Sequence, residues 1–169
     1  MTAPVSNLAI AVFFSYAHAG EKLRDKLTNH LKLLERQGVI QSWYDRQLLA
    51  GTERQGQIDS PLETAQIILL LVSADFLASD YCYDIEMKRA LERHDAGEAR
   101  VIPVILRPVD NWRKSPFGKL QALPTDSKAV TCWENEDKAF TIAAKGIRLA
   151  AEAWQPGERF LSLEKVQKT

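Results

Sequence analysis

The sequence predicts an α/β domain built on a parallel sheet with helices on both faces, and three observations carry that prediction. Four short runs, Leu8 to Phe14, Ile67 to Val72, Val101 to Leu106 and Ala129 to Trp133, are predominantly apolar and do not alternate. Continuous runs of this length are expected of strands covered on both sides. Stretches with helical periodicity separate them. Counting the short aromatic SWYD, Ser42 to Asp45, as a further strand, strand and helix alternate five times, the pattern of a flavodoxin-like five-stranded parallel sheet.

Each element has its own justification. LAIAVFF opens the sheet and empties into the polar SYAHAGE, Ser15 to Glu21. In Glu21 to Arg36 the leucines 23, 27, 31 and 34 recur at helical spacing while lysines lie off that stripe, and Gly38 follows as a stop. After SWYD comes RQLLAGTERQGQ, Arg46 to Gln57, a long loop with Gly51 and Gly56 that sets Leu48 and Leu49 in polar surroundings. IILLLV is the third strand. A helix from about Tyr83 to His94 precedes the turn at Gly97, and VIPVIL is the fourth strand. Asn111 to Thr125 is broken by Pro116, Gly118 and Pro124, which leaves room for one short helix packed around the sheet edge. AVTCW is the fifth strand, and a helix from about Glu136 to Trp154 offers Phe140, Ile147 and Leu149 for burial. Residues 1–7 read as an extension, 8–154 as one domain, and 155–169, which open with Pro156 and Gly157, as a tail or linker toward a possible further domain.

Composition removes several classes of function. A chain of 169 residues suits one domain with a real core. Its 22 Lys and Arg balance 22 Asp and Glu, so no overall field draws it to nucleic acid or acidic lipid. The two cysteines, Cys82 and Cys132, have no metal-binding or disulfide spacing, and they read as small buried hydrophobes. Neither a signal peptide nor an apolar run of the roughly 20 residues that span a bilayer is present. The expectation is a soluble protein of the cytoplasm, with no nucleic-acid or membrane partner and no metal.

In an open parallel sheet, ligands bind beyond the carboxyl ends of the strands where the strand order reverses, here between the first and third strands. The first strand ends at Ser15, the second at Asp45, and the third leads into SADFLASDYCYDIE, Ser73 to Glu86. Polar groups therefore collect where a ligand belongs. The common occupants of such a fold do not match. A phosphoacceptor needs an acidic pair after the first strand, and the chain has Ser15 and Tyr16 there. Neither G-x-G-x-x-G nor G-x-x-x-x-G-K-[ST] occurs, so a Gly-rich phosphate cradle has no support, and no G-x-S-x-G elbow is present.

Three strings in order, AVFFSYAHAGEK, WYDRQLLAGTERQGQI and LLLVSADFLASDYCYDIEMKRAL, resemble the Toll/interleukin receptor (TIR) domain family, especially its bacterial members, from about Ile10 to Trp154. The resemblance implies a five-stranded flavodoxin-like domain in which Arg46 to Gln57 is the family's BB loop. It implies one of two activities. Many bacterial and plant members cleave NAD+ at the nicotinamide–ribose bond, giving nicotinamide and ADP-ribose or a cyclic ADP-ribose product, with no cofactor; others only bind one another. By the same resemblance Glu86, on the helix after the third strand, is the catalytic carboxylate. Ser15, Tyr16, His18 and Tyr81 contact the dinucleotide, Asp45 and Arg46 contact it or a neighbouring subunit, and the BB loop, with Leu48, Leu49 and Gly51, mediates self-association. A defence or cell-death effector is the implied role.

One departure stands out. The enzymes commonly carry Trp four residues before the glutamate, and this chain has Cys82, flanked by Tyr81 and Tyr83. Either a tyrosine fills that place or the helix start is offset by one residue. Asp84 is the second candidate acid. Taken without the resemblance, Glu86 at helical spacing from Arg89 would read as half of an exposed ion pair.

Overall fold

The computed structural model describes residues 9–44, 60–125 and 128–154. The extension, the tail and the segment with Asp45, Arg46, Leu48, Leu49 and Gly51 lie outside the described residues. Four parallel strands, β1 (Ile10–Ser15), β2 (Ile40–Tyr44), β3 (Ile67–Val72) and β4 (Arg100–Ile105), form one sheet in the order β2-β1-β3-β4. β1 is thus flanked on both sides, pairing Phe14 with Tyr44 and Ser15 with Leu70. The order reverses at β1, as the flavodoxin-like reading requires.

Helices cover both faces, which is why the strands are apolar without alternation. Val12, Phe14 and Tyr16 pack with Leu23, Leu27, Leu31 and Leu34 of α1 (Glu21–Arg36) and with Phe140, Ala143 and Ile147 of α5 (Glu136–Ala153). Phe13 and Ala17 face the other way. They pack with Leu62 of α2 (Ser60–Thr64), Phe76 of α3 (Ala74–Ala78), and Met87 and Ala90 of the helical run that ends in α4 (Lys88–Asp95). α1 stops as expected at Gly38, whose φ of 75° lets Val39 N–H reach back to Leu34 O at 2.9 Å. Asn135 caps α5 by accepting from Lys138 N at 3.1 Å.

Three sequence expectations need correction. Ala129 to Trp133 is not a strand among the described residues, since Val130–Cys132 forms one 3-10 turn. The edge of β4 is taken instead by Leu123, which accepts from Ile105 N at 2.8 Å and donates to Pro103 O at 2.9 Å. The later run stays near the sheet through Thr131 N, bonded to Leu106 O at 3.1 Å, and through burial of Ala129 and Val130 in the core. The turn also faces Cys132 outward, so this thiol is exposed rather than buried. Leu149 is exposed as well, because it stands two residues from buried Ile147 and i, i+2 positions do not share a helix face.

Candidate functional site

Successive residues of a strand point to opposite faces, so Ser15 and Tyr16 cannot line the same crevice. Ser15 follows Phe13 toward the α4 side; Tyr16 follows Phe14 toward α1. Tyr16 is a core residue, with the Arg24 guanidinium 4.9 Å above its ring. Arg24 in turn contacts Asp25 at 3.0 Å and Glu21 at 3.5 Å. Ser15, at the carboxyl end of the central strand, instead meets Glu86: its hydroxyl donates to Oε1 at 2.7 Å, and both residues have 0% exposure.

The backbone that delivers Glu86 is unusual. After α3, whose N-terminus is capped by Ser73 Oγ accepting from Phe76 N, residues Tyr81–Met87 form a π-helical turn that runs directly into α4. In an α-helix Cys82 and Met87, five residues apart, would lie well round the cylinder from each other. The wider π turn puts Cys82, Glu86 and Met87 on the buried side together. Its start is fastened at two points: Ser79 Oγ accepts from Cys82 N at 3.1 Å, and the Cys82 thiol donates to Tyr16 O at 3.4 Å. The position where the enzymes carry Trp is therefore filled by a small interior residue tied to the β1 exit. Tyr81, at 39% exposure, and His18, beside Glu21 at 3.8 Å, are both on the surface.

The exposed-ion-pair reading of Glu86 does not hold. Arg89 turns to α2 and donates from Nε and Nη2 to the Glu63 carboxylate at 2.7 Å each, and from Nη1 to Glu92 at 3.2 Å. The Arg89 hydrogen bonds hold the Glu63 carboxyl below its usual range, against the opposing effect of partial burial. Asp84 is exposed and lines an open groove of about 470 Å³ on the outer side of the same helix, together with Tyr83, Lys88 and Leu91. Glu86 does not line that groove. Of the predicted site residues within the described chain, the structure brings together Ser15 and Glu86.

Another buried charge, on the same helical run as Glu86, was not singled out in the sequence. Arg93 donates from Nη1 to Leu62 O at 2.8 Å and Ala65 O at 2.7 Å, and from Nη2 to Glu98 O at 3.1 Å, with Nε near the Glu98 carboxylate at 3.4 Å. Its guanidinium closes the carbonyl end of α2 and the turn before β4. One hint was available, since Arg93 lies seven residues after Glu86, on the same helical face. The π turn had no sequence signal of comparable clarity. Among the described residues no group of three or more His, Cys, Asp or Glu is placed to hold a metal ion, and no helix is long and apolar enough to cross a membrane.

Comparison with known proteins adds a family and a relative. The family described as TIR domain matches residues 12–143. A protein of Sinorhizobium fredii (strain NBRC 101917 / NGR234), named uncharacterized protein y4lF, is 58% identical over 141 residues, which is 83% of this chain. The match spans 43% of that relative's length.

Proposed function

The chain belongs to the TIR domain family, and from that premise we propose that it is an NAD+ glycohydrolase or cyclase in which Glu86 is the catalytic carboxylate. One observation carries the proposal: an acid with no exposed surface lies at the carboxyl end of the central strand, hydrogen-bonded to that strand's last residue. A surface helix has no structural use for such an arrangement, and burying a carboxylate is costly.

The chemistry asks little more of the protein. The bond from ribose C1′ to the nicotinamide nitrogen breaks heterolytically, and its electron pair neutralises the pyridinium ring. The ribose left behind has oxocarbenium character. A carboxylate bound to the ribose hydroxyls favours that charge as it forms. Water then adds at C1′ and loses a proton to give ADP-ribose, or an adenine nitrogen attacks to close a ring. NAD+ is the substrate, and neither a metal nor a second cofactor takes part. Because Glu86 is fully buried, neighbouring groups must move as the ribose enters.

By the same reading, the domain acts in the cytoplasm as a defence or cell-death effector, and it works through contacts between copies. The relative, more than twice as long as its matched part, is in keeping with a module joined to a further domain. Self-association is assigned to the segment containing Leu48 and Leu49, so specific activity should rise with protein concentration, and Leu48→Asp should flatten that rise. A parent profile that is already flat would remove the self-association part of the proposal. The proposal as a whole is tested by incubating the purified protein with NAD+ and separating the products. The parent and Asp84→Asn should release nicotinamide while Glu86→Gln does not. A silent parent would leave a domain that only binds partners.

A further inference from the structure

We infer that Ser15 is a positioning residue, which holds the Glu86 carboxylate in its working orientation without itself binding the dinucleotide. This inference rests on the reading of Glu86 as the catalytic acid. The terminal torsion of a glutamate is a broad, soft rotor, so packing alone fixes the carboxylate plane poorly. A hydrogen bond to one oxygen removes that freedom. The Ser15 hydroxyl has a single proton to give, and it gives it to Oε1 at 2.7 Å, an ordinary distance for such bonds.

The donor is itself well anchored. Ser15 is the last residue of a strand paired on both sides, its backbone opposite Leu70, and it is as fully buried as the carboxylate it holds. Strand parity turns it toward the helix and away from Tyr16, so its hydroxyl faces the carboxylate by construction. The second fastening, from the Cys82 thiol to Tyr16 O, ties the start of the π turn to the residue next in sequence. Two adjacent residues at the exit of β1 thus grip Cys82 and Glu86, one turn apart on the helical run. The spacing explains the use of a π turn, which puts both grips and Met87 on one side. A carboxylate held in this way meets the developing charge without first reorienting.

Two measurements on the 169-residue chain test this. In the first, Ser15→Ala should lower kcat for NAD+ by about 10- to 100-fold, as loss of an orienting hydrogen bond commonly does, with KM changed less than about three-fold. Ser15→Thr, which keeps the hydroxyl, should recover most of the loss. A Ser15→Ala variant that keeps its kcat, or loses efficiency only through KM, overturns the inference and leaves the role of Glu86 standing. In the second, which needs no turnover, melting temperatures are compared for Ser15→Ala alone and in a Glu86→Ala background. The substitution should lower Tm in the parent and leave it nearly unchanged where the carboxylate is gone. Equal shifts in both backgrounds overturn the link. A parent that cleaves no NAD+ overturns the proposed activity, and the positioning role with it, even if the link is measured.

Discussion

Glu86 and Arg93 are buried charges on one helical run, yet the fold puts them at opposite ends of the sheet. The run crosses from β3 to β4, which are parallel, so its start lies by the carboxyl ends of the strands and its finish by their amino ends. Arg93 at the finish is met by three backbone carbonyls, from Leu62, Ala65 and Glu98. Those bonds close a helix end and a turn, which is structural work. Glu86 at the start is met by the hydroxyl of Ser15, where an open parallel sheet binds its ligands. Burial and charge alone do not separate the two residues; the end of the sheet they occupy does.

The largest effect should come from the Glu86 end. Glu86→Gln keeps the shape and an acceptor for Ser15 but loses the charge, and NAD+ cleavage should fall at least about 100-fold with little change in Tm. If instead Asp84→Asn abolishes cleavage, the wrong face of the π turn has been chosen. At the other end, Arg93→Met fills similar space and strands three carbonyls. It should cost about 3 kcal/mol in chemical denaturation, with turnover per folded molecule unchanged. Gly118→Ala, in the loop that packs beside the same helical run, drives a Cβ into Arg113 O and should cost about 2 kcal/mol in chemical denaturation, which sets the scale for a purely steric defect.

The smallest effect concerns His94, next to Arg93. Its Nδ1 accepts from Val101 N at 3.1 Å. Burial lowers its pKa, with help from the positive charges of Lys119 and Arg100 and against Asp95. A depressed folded-state pKa means that the unfolded chain takes up the proton first. The stabilising contribution is therefore complete above about pH 6.5, the ordinary histidine value, and is lost as pH falls from there toward the folded value. Melting curves between pH 7.5 and 5 should show Tm falling in the parent and falling less in His94→Gln, on the order of a degree or two. Equal slopes would show that His94 has no part in the loss.

Much of the fold was legible because it depends on pattern. β3 and α1 have the bounds that apolar continuity and leucine spacing predict. The fifth apolar run misled because a sheet edge has one occupant, and Leu123 reaches β4 through two backbone bonds that no side-chain pattern encodes. At the site, the place of Glu86 on the helical run after β3 was legible, while its burial against Ser15 was not. Grouping Ser15 with Tyr16 was a failure of parity, since adjacent strand residues face apart. The π turn was hidden because widening a helix by one residue changes which positions are buried without changing composition. It explains how Cys82 can stand where the enzymes have Trp, while Tyr81 remains on the surface.

The most direct measurement is nicotinamide release per folded molecule by the parent, Glu86→Gln and Arg93→Met, with the folded fraction of each taken from its own denaturation curve. Release by the parent, a matching rate for Arg93→Met, and background for Glu86→Gln are expected. Release by Glu86→Gln at the parent rate, or equal losses in both variants, would contradict this, because the two buried charges would then serve the same end.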